Sequence, residues 1–377
     1  MAETPEMPLI TPNIFGFHRY FLKFSPYNCE KGPFRFVFVI ISLASFFAMI
    51  FRSYWMSFQL NTSMLSLGWA EQKLFASISI ESFSCIIALY RITGKGSLKK
   101  FESALAMLKK MRKNPYYESY DSYGGLRRKI LLSIIPIPIA FVGTAAYLLC
   151  SNRIIYNTTT TSSWYQYFDA PVMVLCAYVN ALFLPIHVLI QNGITREFNI
   201  FNEELENSSK NKELLNIKVL QNYADRQIKL FDYTNLLTSR LSPFMVSTPL
   251  LALTALASAT FIVTNFYSST PIFYYLCMVG LLISCSTISS SILYPPAMVQ
   301  GAMLRTSNIL MNDQNLHYSS DPQIYSTYRC MVDRAQNNRE ANFVMLLFHL
   351  NKANVGRAYF VTSNIVLIMS ILHGILH

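Results

Sequence analysis

Apolar residues gather in seven blocks along the chain, at residues 36–51, 69–90, 130–149, 170–190, 244–266, 272–294 and 359–376, with polar segments between them. At 1.5 Å of rise per residue, a helix of about 20 such residues crosses a hydrocarbon core about 30 Å thick. The pattern predicts an all-α polytopic membrane protein with seven transmembrane helices. It divides the chain into an N-terminal segment (1–35), helices one to four (36–190), a helical extension (191–243), helices five and six (244–294), a polar connection with a helix (295–358) and a last helix (359–377). Only residues 267–271 separate spans five and six, which predicts a tight hairpin. Within 191–240, apolar residues recur at mixed three and four spacings among charged ones, so spans four and five should continue as helices beyond the membrane. Residues 341–350 are expected to form a further helix before the last span.

Composition agrees. Only 14% of the 377 residues are charged and 52% are hydrophobic, against roughly 25% charged in a soluble domain. The net charge of +11 would suit nucleic acid if it covered one soluble face, but the basic residues sit between the apolar blocks, so no nucleic-acid partner is read. Their distribution sets orientation, because short loops rich in Lys and Arg stay in the cytoplasm. Of 31 basic residues, 28 fall on the side that holds the N-terminus, and only Arg52, Arg153 and Lys73 are assigned to the other. The N-terminus is therefore expected in the cytoplasm and the C-terminus outside, with the plasma membrane as the site. Glycosylation tripeptides at Asn61 and Asn157 fall in loops assigned outside, whereas the one at Asn207 falls inside. The polar, Pro-rich start has no cleavable signal pattern.

Three groups of residues carry candidate chemistry. Glu81 lies mid-span, where an ionised carboxylate costs several kcal/mol unless paired, protonated or wetted. His187 and the hydroxyls of span six, from Ser284 to Ser291, are its expected partners. A structural hydrogen-bonding role is an equal alternative. The outer halves of spans three to six are rich in aromatic and small polar residues, among them Phe141, Tyr147, Tyr167, Phe261, Asn265 and Tyr275. Apolar walls with a few polar groups suit a small-molecule pocket, although Trp and Tyr also form an interfacial belt in any membrane protein. Trp164 and Tyr274 are read as belt residues. On the last block, Thr362, Val366, Ser370 and His373 share one helical face, which should meet protein or water.

No phosphate-binding Gly loop, nucleophile elbow or zinc-protease motif is present, and the seven cysteines form no ligand or disulfide pattern. The chain is thus read as a non-enzyme without a cofactor. A transporter would be expected to show internal repeats. A G-protein-coupled receptor would place its N-terminus outside, against the charge distribution.

The cytoplasmic N-terminus, long inner connection, tight hairpin and short tail, together with Phe343–Leu350, Asn354–Tyr359 and Phe360–Asn364 ahead of an aliphatic run, resemble the invertebrate gustatory and odorant receptor superfamily. The family's Thr-Tyr, five apolar residues and Gln-Phe signature is altered here. Ala358-Tyr359 can be laid on its start, but Ile365-Val366 then stands where Gln-Phe belongs. The resemblance implies a gustatory-like, ligand-gated and poorly selective cation channel, assembled as a homo- or hetero-tetramer in membrane lipid. It further implies a small-molecule ligand, association of subunits through the inner helices, and a pore lined by Thr362, Val366, Ser370 and His373.

Overall fold

The computed structural model describes residues 14–28, 35–59, 63–94, 97–113, 122–150, 164–337, 344–345 and 348–376. Asn61 and Asn157 lie outside them. Helices dominate: α1 (His18–Lys23), α2 (Arg35–Tyr54, running into a π-helical turn at Trp55–Gln59), α3 (Leu67–Thr93), α4 (Ser97–Lys110), α5 (Gly124–Ile134), α6 (Pro136–Cys150), α7 (Trp164–Lys210), α8 (Ile217–Asn265), α9 (Ile272–Met311), α10 (Gln314–His317), α11 (Pro322–Asn337) and α12 (Lys352–Leu376). Seven segments are long and apolar enough to cross a membrane: Phe36–Ser57, Leu67–Thr93, Gly124–Cys150, Tyr167–Lys210, Phe244–Asn265, Ile272–Met311 and Lys352–Leu376. These agree with the seven sequence blocks in number and order.

The elements follow local chemistry. Ser66 caps α3 by accepting from the Trp69 amide, and Asn216 caps α8 by accepting from that of Lys218. The third span is broken at Pro136, which stands first in α6, where its missing N–H removes no helix bond. Its carbonyl instead accepts from the Ser284 hydroxyl of α9 at 3.3 Å. Helices α6 and α9 approach closely at Gly280, where an added Cβ would sit 3.2 Å from that of Ala140.

Helices α7, α8 and α9 do not stop at the expected span ends; they run for 47, 49 and 40 residues. The extensions of α8 and α9 pack with α11 through buried side chains, and two buried charge pairs lie in this region. Arg112 bonds Glu197, and Arg226 bonds Glu204, all four buried. Span six therefore continues to Met311 rather than ending near residue 294. The helix expected at 341–350 is replaced by a short antiparallel ladder, with Val344 opposite His349 and Met345 opposite Phe348. The last helix begins at Lys352, seven residues before the expected start.

Candidate functional site

Two arrangements stand out: a buried polar network inside the bundle and the seat of the last helix. The network begins with Arg52. The charge count assigned it to an outer loop, but it lies on α2 with no side-chain exposure. Its Nε donates to Asp169 of α7, its Nη1 donates to Ser79 of α3 at 2.9 Å, and its guanidinium lies 5.3 Å from the Phe75 ring centre. A buried cation is tolerable because hydrogen bonds and a carboxylate replace its water. About two turns from Ser79 on α3, fully buried Glu71 accepts from the Tyr274 hydroxyl of α9. Tyr274 is thus an interior residue rather than a belt one, because its hydroxyl has a buried acceptor to reach. The Tyr147 ring lies 5.8 Å from it.

Glu81 is buried lower on α3, but its expected partners are not the ones it has. Its Oε2 accepts from the Asn180 amide at 2.9 Å and its Oε1 from Cys85 at 3.0 Å. Asn180 also donates to Ser82 at 2.9 Å. His187 sits two turns further along α7 between Phe183 and Phe244, at 5.5 and 5.8 Å, and Ser284 is turned to Pro136. Position along the helix explains this: seven residues put His187 on nearly the same face of α7 as Asn180 but about 10 Å further along it, beside Phe244 of α8. Arg52, Asp169, Glu71 and Asn180 were missed as site residues. Their signal was a charged or amide side chain within or bordering an apolar block, the same signal that singled out Glu81.

The six expected pocket residues divide. Phe141 is buried and Tyr147 half-buried beside Tyr274, with Tyr275 half-buried on the next position of α9. Tyr167 is 67% exposed. Phe261 and Asn265, on α8, face the last helix instead. The Asn265 amide donates to the Ser370 hydroxyl at 2.9 Å, and the His373 ring lies 5.8 Å from Phe261 and 4.9 Å from Phe266. At the other end of α12 the Tyr359 hydroxyl bonds Ser289 and Ser290 of α9, at 3.1 Å each.

These contacts orient α12. Thr362 and Val366 are buried, and Ser370 and His373 are half-buried, so the polar stripe is turned toward α8 and α9 of the same chain. Phe360, Val361, Ile365, Leu367, Ile368 and Ile371 remain exposed. Only 11% of this span is buried, against 78% of the fourth. Between α12, α8 and the start of α3 runs a cleft of about 610 Å³.

Comparison places this geometry. Over residues 14–366 the chain matches the family described as Caenorhabditis protein of unknown function, DUF267. The chain belongs to the DUF267 family. No curated protein matches this DUF267 member. Its fold is that of a solved receptor, the insect olfactory receptor OR5 from Machilis hrabei, with a TM-score of 0.69 and 15% identity over 90% of each chain. The same receptor in complex with eugenol gives a TM-score of 0.69 and 14% identity, over 92% of the DUF267 chain and 91% of that one.

Proposed function

We propose that this chain is a chemosensory receptor, a ligand-gated and poorly selective cation channel of the gustatory and odorant type, set in the plasma membrane with its N-terminus in the cytoplasm. The observation that carries the reading is the last helix. It is apolar, it is held to the bundle near its two ends by Asn265–Ser370 and Tyr359–Ser289/Ser290, and most of its surface is open. An apolar helix so little packed suits a shared interface in an assembly, here a homo- or hetero-tetramer with four last helices around a pore.

Because Thr362 and Val366 are turned into the bundle, the pore border is assigned to the open flank of the same helix. At 100° per residue, Ser363, Leu367 and Gly374 share that flank, with Asn364 beside them. Few polar groups and no fixed charge suit weak discrimination among cations. Ligand recognition is assigned to the interior beside Tyr147, Phe141 and Tyr274, where the buried network ties α2, α3, α7 and α9 together. A small molecule bound there is what eugenol is to the insect receptor, a ligand of the complex. The distribution of basic residues supports the orientation, as it does the preference over a G-protein-coupled receptor.

The test is cysteine substitution along residues 358–376 with currents recorded from transfected cells. Block by an external charged thiol reagent at Ser363, Leu367 and Gly374, with silence at Thr362 and Val366, is expected. Block confined to the Thr362 stripe would return the pore to that face, and agonist-evoked signals without any current in the unmodified chain would refute the channel.

A further inference from the structure

The cleft beside the last helix has the form of a lipid site. Its lining runs from Asn354 to Met369 on α12, which is about 22 Å of helix. One leaflet of a hydrocarbon core about 30 Å thick is about 15 Å deep, so an acyl chain fits with room for a glycerol unit at one end. Width comes from small side chains that face each other, Thr254, Ala257 and Ser258 on α8 against Ala358 and Thr362 on α12. Between the ends Leu250, Leu253, Val361 and Ile365 supply aliphatic wall around these small residues.

Charge decides the kind of lipid. Among the described residues no acidic one lines the cleft, and its two charged residues are basic. Arg357 is exposed, and among the described residues its side chain bonds the Asn354 side-chain oxygen alone, from Nη1 at 3.2 Å. It forms no ion pair among the described residues. It also lies five residues inside the start of α12, near the level where headgroups sit. Lys73, at the far end, is already engaged with the Trp69 ring at 5.9 Å. We infer that this cleft binds an anionic phospholipid, with the phosphate at Arg357 and Asn354 and one acyl chain laid between α8 and α12. The inference stands whether or not the chain conducts ions.

The test uses the full-length protein in nanodiscs of phosphatidylcholine, doped with a phosphatidylglycerol or a phosphatidylcholine probe that carries a photoreactive group on one acyl chain. After irradiation, adducts are mapped by mass spectrometry. Adducts in 250–258 and 354–369 should be about fivefold more abundant with the anionic probe, the equivalent of about 1 kcal/mol for one basic side chain near an anionic headgroup. Arg357→Gln should reduce them to the neutral-probe level without changing labels elsewhere. Ala257→Phe should lower both by filling the cleft. If that variant is misfolded, native mass spectrometry of the unmodified protein and Arg357→Gln gives the second reading, with phosphatidylglycerol retained by the former alone. Equal labelling by both probes would overturn the inference. So would loss of labelling in Lys73→Gln but not in Arg357→Gln. A disulfide between neighbouring copies from Ala257→Cys paired with Ile365→Cys would show a second chain in the cleft and overturn it as well.

Discussion

Asn265 reaches across from α8 to Ser370 on α12, amide nitrogen to hydroxyl oxygen at 2.9 Å, although 105 residues separate them. Ser370 passes the interaction on to the Val366 carbonyl of its own helix. The contact ties the C-terminal part of the least packed span to the bundle. Asn265→Ala should therefore favour whatever rearrangement frees α12. Interhelical hydrogen bonds in membranes contribute about 0.6 to 1.7 kcal/mol, so resting current should rise about three- to fifteen-fold. Ser370→Ala should do the same, and the double variant should add little. Recordings without agonist, normalised to surface protein, measure it.

Arg52 and Asp169 make the opposite kind of prediction, one about folding. Removing one partner of a buried pair leaves a desolvated charge, which costs about 3 to 5 kcal/mol. Asp169→Ala should lower the melting temperature of the purified protein and its surface level. Replacing both residues by apolar ones, Arg52→Met with Asp169→Leu, should restore much of the loss.

Gly280 gives a steric prediction. The gap to Ala140 is already at the limit for a Cβ, and α6 and α9 cannot separate without breaking the Ser284–Pro136 contact. Gly280→Leu should destabilise the protein by about 1 to 3 kcal/mol, the usual range for overpacking. Ala140→Gly in the same chain should recover part of it in a thermal melt.

His18 predicts a pH dependence. Burial, then the nearby Arg127 charge, pushes its pKa down to about 4 from the ordinary 6.5, and its Nε2 has no partner among the described residues. A base with a lowered folded pKa favours the folded state fully above 6.5 and loses that advantage as pH falls from 6.5 toward 4. Allowing for partial solvation, the local loss is about 2 kcal/mol. The protection of residues 14–28 against hydrogen exchange, taken relative to the intrinsic rate at each pH, should fall between pH 7.5 and 5, and His18→Gln should flatten the change.

The spans were legible because hydropathy over some 20 residues is a sum that no single contact can overturn. Where the helices end was harder to read. Spans four and five read as continuing through 191–240, and α7 and α8 do continue there, with buried pairs such as Arg226–Glu204 satisfying the charges. Residues 295–311, which begin with Pro295 and Pro296, continue α9 without such a signal. Partners were not legible either. Glu81 announced itself, but whether Asn180 or His187, on the same face of α7 about 10 Å apart, meets it depends on how α7 is set lengthwise against α3, which no spacing within α7 determines. Arg52 shows the same limit. A basic residue at a block edge reads as a loop residue until a carboxylate 117 residues away is found beside it. The stripe on α12 reads as a face that needs protein or water, and the choice between them rests on the position of α8.

Asp169, Asn180, Glu197 and Glu204 all belong to one helix. At 47 residues, α7 is about 70 Å long, and Pro171 and Pro185 both lie in its first half, so the second half is the stiffer rod. A tilt of about 5° about its midpoint carries each end through about 3 Å, comparable to half a helical turn. Any molecule that shifts Asp169 against Arg52 thus acts on a seesaw whose far arm holds Glu197 on Arg112 and Glu204 on Arg226. Pro171 and Pro185 lie between Asp169 and Glu197, so the tilt reaches the stiff far arm through the more flexible half of the helix.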